Sequence, residues 1–339
     1  VCKEYGSFED LVIENCDAPE PGDREIAFDV RAAALNFADV LSIAGQYQVQ
    51  TPPPFVPGNE AAGVVTAIGS NVSRFKVGDR VIGALRGGAF AEKSVVDERY
   101  AMPLPASLDF EQGAAFSVAY GTSYHAFRQG ANLQPGETVL VLGAAGGVGY
   151  AAVELAGAMG ARVIAAASSG EKLAYAAEGG ADHLLDYSTQ PLRETIKELT
   201  DGRGVDVVYD PVGGKLAEQA MRALDWHGRF LVIGFASGEI PRLPLNLALL
   251  KEASIVGVWY GAWAERHPDE LATNTQELGT MIEAGKITPR YSVALPLDRF
   301  GDAFRLLAER RALGPAASAR GRARLRHLAN PGHAGRSGY

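Results

Sequence analysis

The sequence predicts an α/β protein in which a doubly wound parallel sheet is inserted in a mainly-β domain. Three observations carry that expectation. Between Leu11 and about Tyr100, short strand patterns follow one another with turns between them and almost no helical periodicity. From about Tyr120, apolar strands alternate with helices, which implies a parallel sheet with right-handed crossovers. Near Ile287 the alternation stops, and one more strand and helix read as a return to the first domain. The 339 residues suit two domains. The boundaries fall at 1–118 for the β domain, 119–287 for the parallel sheet, 288–313 for the return and 314–339 for a tail.

In the first domain, residues 25–32 alternate polar and apolar side chains, as a half-buried strand does. Residues 37–41 read as a short helix, and residues 61–69 and 79–83 as further strands, with Val77-Gly78-Asp79 turning the chain between them. Residues 87–96 read as a turn followed by a strand.

The parallel sheet opens on residues 138–142, an uncharged run that reads as a fully buried strand after the Pro135-Gly136 turn. A Gly/Ala-rich elbow follows and feeds a helix whose apolar side is Val148, Ala152, Leu155, Ala156 and Met159. Strand, glycine turn and helix N-terminus together form a place to hold a pyrophosphate: glycines admit the ligand, while unpaired N–H groups and the helix dipole supply a positive field. Gly146, Gly147 and Val148 are therefore expected at a dinucleotide. Gly146 and Gly149 have the spacing of the last two glycines of G-x-G-x-x-G, with Ala144 where the first would stand. Further strands are expected at 162–167, 183–187, 205–210, 229–234 and 254–260, with helices at 171–178, 192–199 and 215–224. The return comprises a strand at 291–296 and a helix at 299–311.

Composition excludes several partners. A net charge of -8 argues against nucleic acid or an anionic membrane surface. No apolar run is long enough to span a bilayer, and none opens the chain as a signal peptide. Cys2 and Cys16 are the only cysteines; they provide no disulfide framework and suit a reducing cytoplasm. Two sulfurs also cannot build a four-cysteine zinc lobe. From Gly314 onward the chain is rich in Ala, Arg, Gly and Ser and has no acid, so it reads as a disordered tail.

Several separated motifs, in order, resemble the zinc-independent quinone oxidoreductases of the medium-chain dehydrogenase/reductase superfamily, the zeta-crystallin-like group. They are Leu35-Asn36-Phe37-Ala38-Asp39, the run from Pro57-Gly58-Asn59-Glu60 to Val65, Val77-Gly78-Asp79-Arg80-Val81, the glycine turn from Gly143 to Gly149, and Phe235-Ala236-Ser237-Gly238. The resemblance runs to about Leu313 and implies a Rossmann sheet inserted in a GroES-like domain. The family closes its chain with a strand after the final helix, and nothing like it is legible in the tail.

The resemblance implies a metal-free site. Zinc-dependent relatives place a cysteine at Asn36, a histidine at Asn59 and a third ligand near Ser117; amides replace thiolate and imidazole poorly. Glu60 alone is no site, and His125, His183, His227 and His267 show no ligand spacing. The acceptor cleft is then expected between the domains, lined by Asn36, Asp39, Tyr47 and Thr122, with Trp259 or Tyr260 over the nicotinamide. Tyr47 reads either as a hydrogen-bond donor to the acceptor oxygen or as a loop aromatic packing the cleft wall. Thr122 reads as a cofactor contact or as a cap for the following helix. Gly234, Phe235 and Ala236, after the fifth strand, are expected along the cofactor.

Ser168-Ser169-Gly170-Glu171-Lys172 ends the second strand, where an NAD-selective site of this fold carries an acid about 20 residues beyond the glycine turn. Serine hydroxyls and Lys172 favour a 2′-phosphate and hence NADPH, and the resemblance implies a further contact to that phosphate from Tyr187 at the end of the third strand. Ser168 with Glu171 also reads as a capping box. The expected activity is NADPH-dependent reduction of quinones. The alternatives are reduction of α,β-unsaturated carbonyls or enoyl thioesters, and a non-enzymatic NADPH-binding sensor or crystallin-like protein. An apolar terminal strand at 254–260 predicts a homodimer through the sheet edge.

Overall fold

The computed structural model describes residues 1–319. The first sheet is built from β1 (Glu25–Leu35), β2 (Glu60–Ile68), β3 (Arg80–Ala84), β4 (Lys93–Asp97) and β5 (Ala101–Pro103). The second contains β6 (Thr138–Leu142), β7 (Arg162–Ala167), β8 (His183–Asp186), β9 (Val205–Asp210), β10 (Leu224–Val232) and β11 (Ser254–Gly257). The chain then returns to the first sheet through β12 (Val293–Pro296) and β13 (Ala316–Ala319).

The second sheet is parallel throughout, in the order β11-β10-β9-β6-β7-β8. Its strand order reverses at β6, so the carboxyl ends of β6 and β9 border the crevice where such sheets bind ligands. All five residues of β6 are buried, as a strand covered on both faces requires. The first sheet is antiparallel except where β12 and β13 run side by side.

One buried cluster joins the two sheets. It runs from Ala62, Ile82 and Met102 through Phe116, Tyr120 and Tyr124 to Val139, Val141 and Tyr209. Phe116, Tyr120 and Tyr124 lie on or beside the helix Ser117–His125, which carries the chain from one domain into the other. Glu154, on the helix Gly147–Ala158 after the glycine turn, accepts from the Tyr120 hydroxyl and from the Thr288 N–H. That carboxyl fastens the first helix of the parallel domain to the crossing helix and to the returning chain.

Three expectations are corrected. First, the sixth strand ends at Gly257, and Trp259 and Tyr260 are not part of it. A helix begins at Tyr260 and runs to Arg266, and a longer one follows at Pro268–Glu283. The aromatic pair Trp259-Tyr260 has strand propensity, but tertiary packing sets the state of such short segments.

Second, a strand does close the described chain. Residues 316–319 pair antiparallel with β1, Leu35 opposite Ala316, and parallel with β12, Val293 opposite Ala316. An Ala/Ser run has little strand propensity of its own. Here two waiting edges supply its backbone hydrogen bonds, so pairing overrides composition. The rest of the tail reading, 320–339, lies outside the described residues.

Third, Thr122 caps nothing. It sits inside the helix Ser117–His125, well past its first turn.

Candidate active site

The glycine turn leads from β6 into a helix whose first-turn N–H groups are left open. Gly146 is the N-cap of the helix Gly147–Ala158 and offers no side-chain acceptor, so the first-turn N–H groups of that helix remain available to an anion. The turn is closed by Gly146 N–H donating to Gly143 O at 2.9 Å. A Cβ on Gly149 would overlap the same Gly143 carbonyl, so the helix can lie this close to the strand only with glycine there. The turns after β9 and β10 are tied to each other: Ala236 N–H donates to Pro211 O at 3.0 Å, and Ile233 N–H to Asp210 O at 3.0 Å. Gly234, Phe235 and Ala236 therefore stand at the carboxyl ends of the strands, the side of the sheet on which this fold takes a dinucleotide.

At the tip of β7 the structure exchanges the roles that sequence spacing gives to two adjacent serines. Ser169, not Ser168, is the N-cap of the helix Gly170–Ala177, its Oγ accepting from Lys172 N at 3.4 Å. The capping-box alternative for Ser168 and Glu171 is thereby overturned; Glu171 is exposed. Ser168 Oγ instead accepts from Lys172 Nζ at 3.2 Å. Tyr187 joins them: burial pushes its phenol up, while its hydrogen bond with Ser168 and the nearby charge of Arg310 draw it back. Arg310 was missed by sequence reading. It follows the helix Phe300–Ala308, in the left-handed region at φ 57°, and its Nη2 donates to Ser237 O at 2.8 Å. Nothing in its local sequence links it to Lys172, because the link is made by the returning chain.

Asn36, Asp39, Asn59 and Glu60 form a closed network of two amides and two acids. Asn36 precedes the helix Phe37–Ile43, and its N–H donates to Asp39 Oδ2 at 2.7 Å. Asn59 Nδ2 donates to Asp39 Oδ1 at 2.6 Å, and Asn36 Nδ2 to Glu60 Oε1 at 2.8 Å. Glu60 Oε2 accepts from Val118 N at 2.8 Å, at the first turn of the crossing helix. Asp39 and Glu60 are both fully buried. Burial pushes Asp39 up to about 7 against its bonds from Asn36 and Asn59. It pushes Glu60 up to about 8, opposed by the bonds from Asn36 and Val118. Glu60, set aside in the sequence, is thus the link between Asn36 and the crossing helix.

Tyr47 and Tyr260 border this network. Burial, then the Asp39 charge, raises the Tyr47 phenol, which places it on the Asp39 side; Tyr47 is half-buried. Tyr260 packs its ring on Gly121, where a Cβ would come within 2.5 Å of its phenol oxygen. Burial, then the Glu60 charge, keeps its proton on. Trp259 does not join them. It is 49% exposed and lines a shallow groove of about 450 Å³ beside β11, together with Val256, Trp263 and His267. Of the two aromatics, only Tyr260 lies beside this network.

The network does not fit zinc. Its carboxylate oxygens already accept N–H donors, its other members are neutral amides, and neither thiolate nor imidazole belongs to it. Among the described residues no three His, Cys, Asp or Glu side chains gather as a metal site. The glycine turn and the β7 tip, in contrast, fit a phosphorylated dinucleotide.

Residues 22–106 match the alcohol dehydrogenase GroES-like domain, and residues 147–276 match the domain described as zinc-binding dehydrogenase. With the two sheets described above, these modules define a medium-chain dehydrogenase/reductase. The chain is 39% identical over 318 residues to quinone oxidoreductase-like protein 2 homolog of Nematostella vectensis, covering 93% of this chain and 86% of that one. It is 38% identical over 317 residues to quinone oxidoreductase of Pseudomonas aeruginosa, covering 91% and 95%. The structure of Escherichia coli quinone oxidoreductase complexed with NADPH superposes with a TM-score of 0.85 at 30% identity, covering 94% of this chain and 98% of that one. The chain belongs to the quinone oxidoreductase family of this superfamily and is an oxidoreductase.

Proposed function

We propose that the chain is an NADPH-dependent, metal-free oxidoreductase that transfers a hydride to quinones. The observation that carries the reading is the convergence of Ser168, Lys172, Tyr187 and Arg310 at the tip of β7, beside a helix N-terminus left open for phosphate. Two cations and two hydroxyls there suit a 2′-phosphate, and the residue that follows β7 is a serine rather than an acid.

When bound, the reduced nicotinamide supplies the hydride. Gly146, Gly147 and Val148 hold the pyrophosphate. Gly234, Phe235 and Ala236, at the ends of the neighbouring strands, and Thr122, on the crossing helix, would line the bound cofactor, and Ser169 would stand beside its 2′-phosphate at the β7 tip. Tyr260 borders the nicotinamide end. Asn36 and Tyr47 donate hydrogen bonds to the acceptor oxygen as negative charge develops on it. Asp39 holds Asn36 and Asn59 in place. The hydroquinone anion takes its proton from water or from the buried acids.

The protein works in the cytoplasm as a homodimer joined through β11, the terminal strand of the parallel sheet, whose Ile255 is exposed. The mainly-β domain comprises 1–118 and the return from 288, and the cofactor domain comprises 119–287.

The test is NADPH consumption against a panel of quinones, enones and enoyl thioesters. Turnover confined to quinones supports the reading. Turnover confined to enones or enoyl thioesters makes the chain a double-bond reductase. Tight NADPH binding without turnover makes it a sensor or structural protein.

A further inference from the structure

Glu60 stands at a crossing of two contacts that no local motif connects. Its Oε1 accepts from the Asn36 carboxamide at 2.8 Å, and its Oε2 from the Val118 backbone at 2.8 Å. The side chain is fully buried at the start of β2, so its rotation is fixed by its surroundings. Asn36 is only half-buried, and its amide nitrogen carries two hydrogens, of which Glu60 takes one. The second has no partner among the described residues. A carboxamide is nearly symmetric in shape, so packing alone does not decide which end faces inward. Ionised Glu60 decides it: with both oxygens accepting N–H donors, a flipped Asn36 would set its carbonyl oxygen against Oε1.

We propose that Glu60 is a positioning residue for the acceptor: it locks the Asn36 carboxamide so that one Nδ2–H is held and the other is presented to the acceptor oxygen. The inference rests on the hydride-transfer reading above. Through Val118 the same carboxyl ties that donor to the first turn of the crossing helix, which also carries Thr122 and the Gly121 seat of Tyr260. One side chain thereby links the orientation of the donor to the first turn of the crossing helix.

Glu60→Gln is the discriminating variant. The substituted carboxamide keeps the shape and can keep an oxygen on the Val118 N–H, which leaves its own NH2 facing Asn36 and reverses polarity at that contact alone. Assayed at about pH 9, where the native Glu60 is ionised, Glu60→Gln should lower kcat/KM for the acceptor by about a hundredfold, the scale of a lost oxyanion donor, with the Kd for NADPH unchanged. In an Asn36→Ala background, Glu60→Gln should cause no further loss. An equal additional loss in that background would overturn the proposal, as would a matching loss of NADPH affinity, since either outcome describes a general structural role. A second measurement does not depend on turnover. Hydrogen exchange of the Asn36 side-chain amide, followed by NMR and assigned by its disappearance in Asn36→Ala, should be slow in the native protein and accelerate in Glu60→Gln. Unchanged exchange would overturn the proposal. If the native protein turns over no acceptor, the functional reading fails, and the exchange measurement alone decides the role of Glu60.

Discussion

Lys172 donates from Nζ to Ser168 Oγ at 3.2 Å, beside the serine that caps its own helix. The lysine ammonium is thereby held over the end of β7 rather than released to solvent. Lys172→Ala should weaken NADPH binding by roughly 1.5–3 kcal/mol, the scale of a charge-assisted hydrogen bond, and leave NADH almost unaffected. Arg310→Ala should act in the same direction. Titration of both cofactors checks this. Equal losses for the two would mean that Lys172 only supports the fold, and a native preference for NADH would remove the 2′-phosphate argument.

The amide and acid network at Asn36, Asp39, Asn59 and Glu60 should leave the purified protein free of zinc. Elemental analysis is expected to give well under one zinc per chain without added metal, and a chelator should not change activity. Loss of activity on chelation and its return with zinc would contradict the ligand chemistry argued above.

Stability should fall as pH rises from about 4 to 8. Burial pushes Asp39 to about 7, Glu60 to about 8 and Glu154 to about 7, so the native chain holds protons that the unfolded chain has already released. Groups whose folded pKa is raised contribute fully below the unfolded pKa, and that contribution is lost as pH passes the folded one. The thermal midpoint measured across this range should decline, and Glu154→Gln should flatten part of the slope. A midpoint rising through the interval would show that these carboxyls are ionised and well paired in the native state.

The exposed edge of the parallel sheet should pair with a second copy. β11 ends the sheet, with Ile255 at 39% exposure and Trp259 beyond it at 49%. Light scattering at micromolar concentration is expected to give a dimer, and Ile255→Lys to shift it toward monomer, because a charge on an edge strand opposes edge-to-edge pairing. A native monomer would contradict the expectation.

Much of this molecule is legible in the sequence, for reasons that differ by region. The strands of the parallel sheet announce themselves because burial on both faces requires short uncharged runs such as 138–142. The glycine turn is legible because Gly149 meets a steric demand that only glycine satisfies. The spacing from Ser168 to Glu171 points to Ser168 as the helix cap, whereas the packed geometry selects Ser169, since either serine can cap a helix that starts here. Arg310 and Glu60 were illegible for a different reason. Arg310 acts on residues far away in the chain, and Glu60 on Asn36 and Val118, so no local pattern records what they touch. The strand Ala316–Ala319 was hidden by its composition, because its stability comes from the two edges that receive it rather than from its own propensity.

The arrival of that strand also orders events in time. Gly314 N–H donates to Ala145 O at 2.7 Å, and Pro315 lies against Gly147, so the segment leading into β13 packs directly on the glycine turn. β13 itself completes a sheet whose first member, β1, leaves the ribosome long before it. Contacts of such long sequence separation form late, since loop closure precedes their reward. In a nascent chain the glycine turn therefore acquires its final wall only once residues 314–319 have emerged. Synthesis halted before that point would leave a nearly complete Rossmann domain with an unsupported cofactor turn, a species for quality control to recognise.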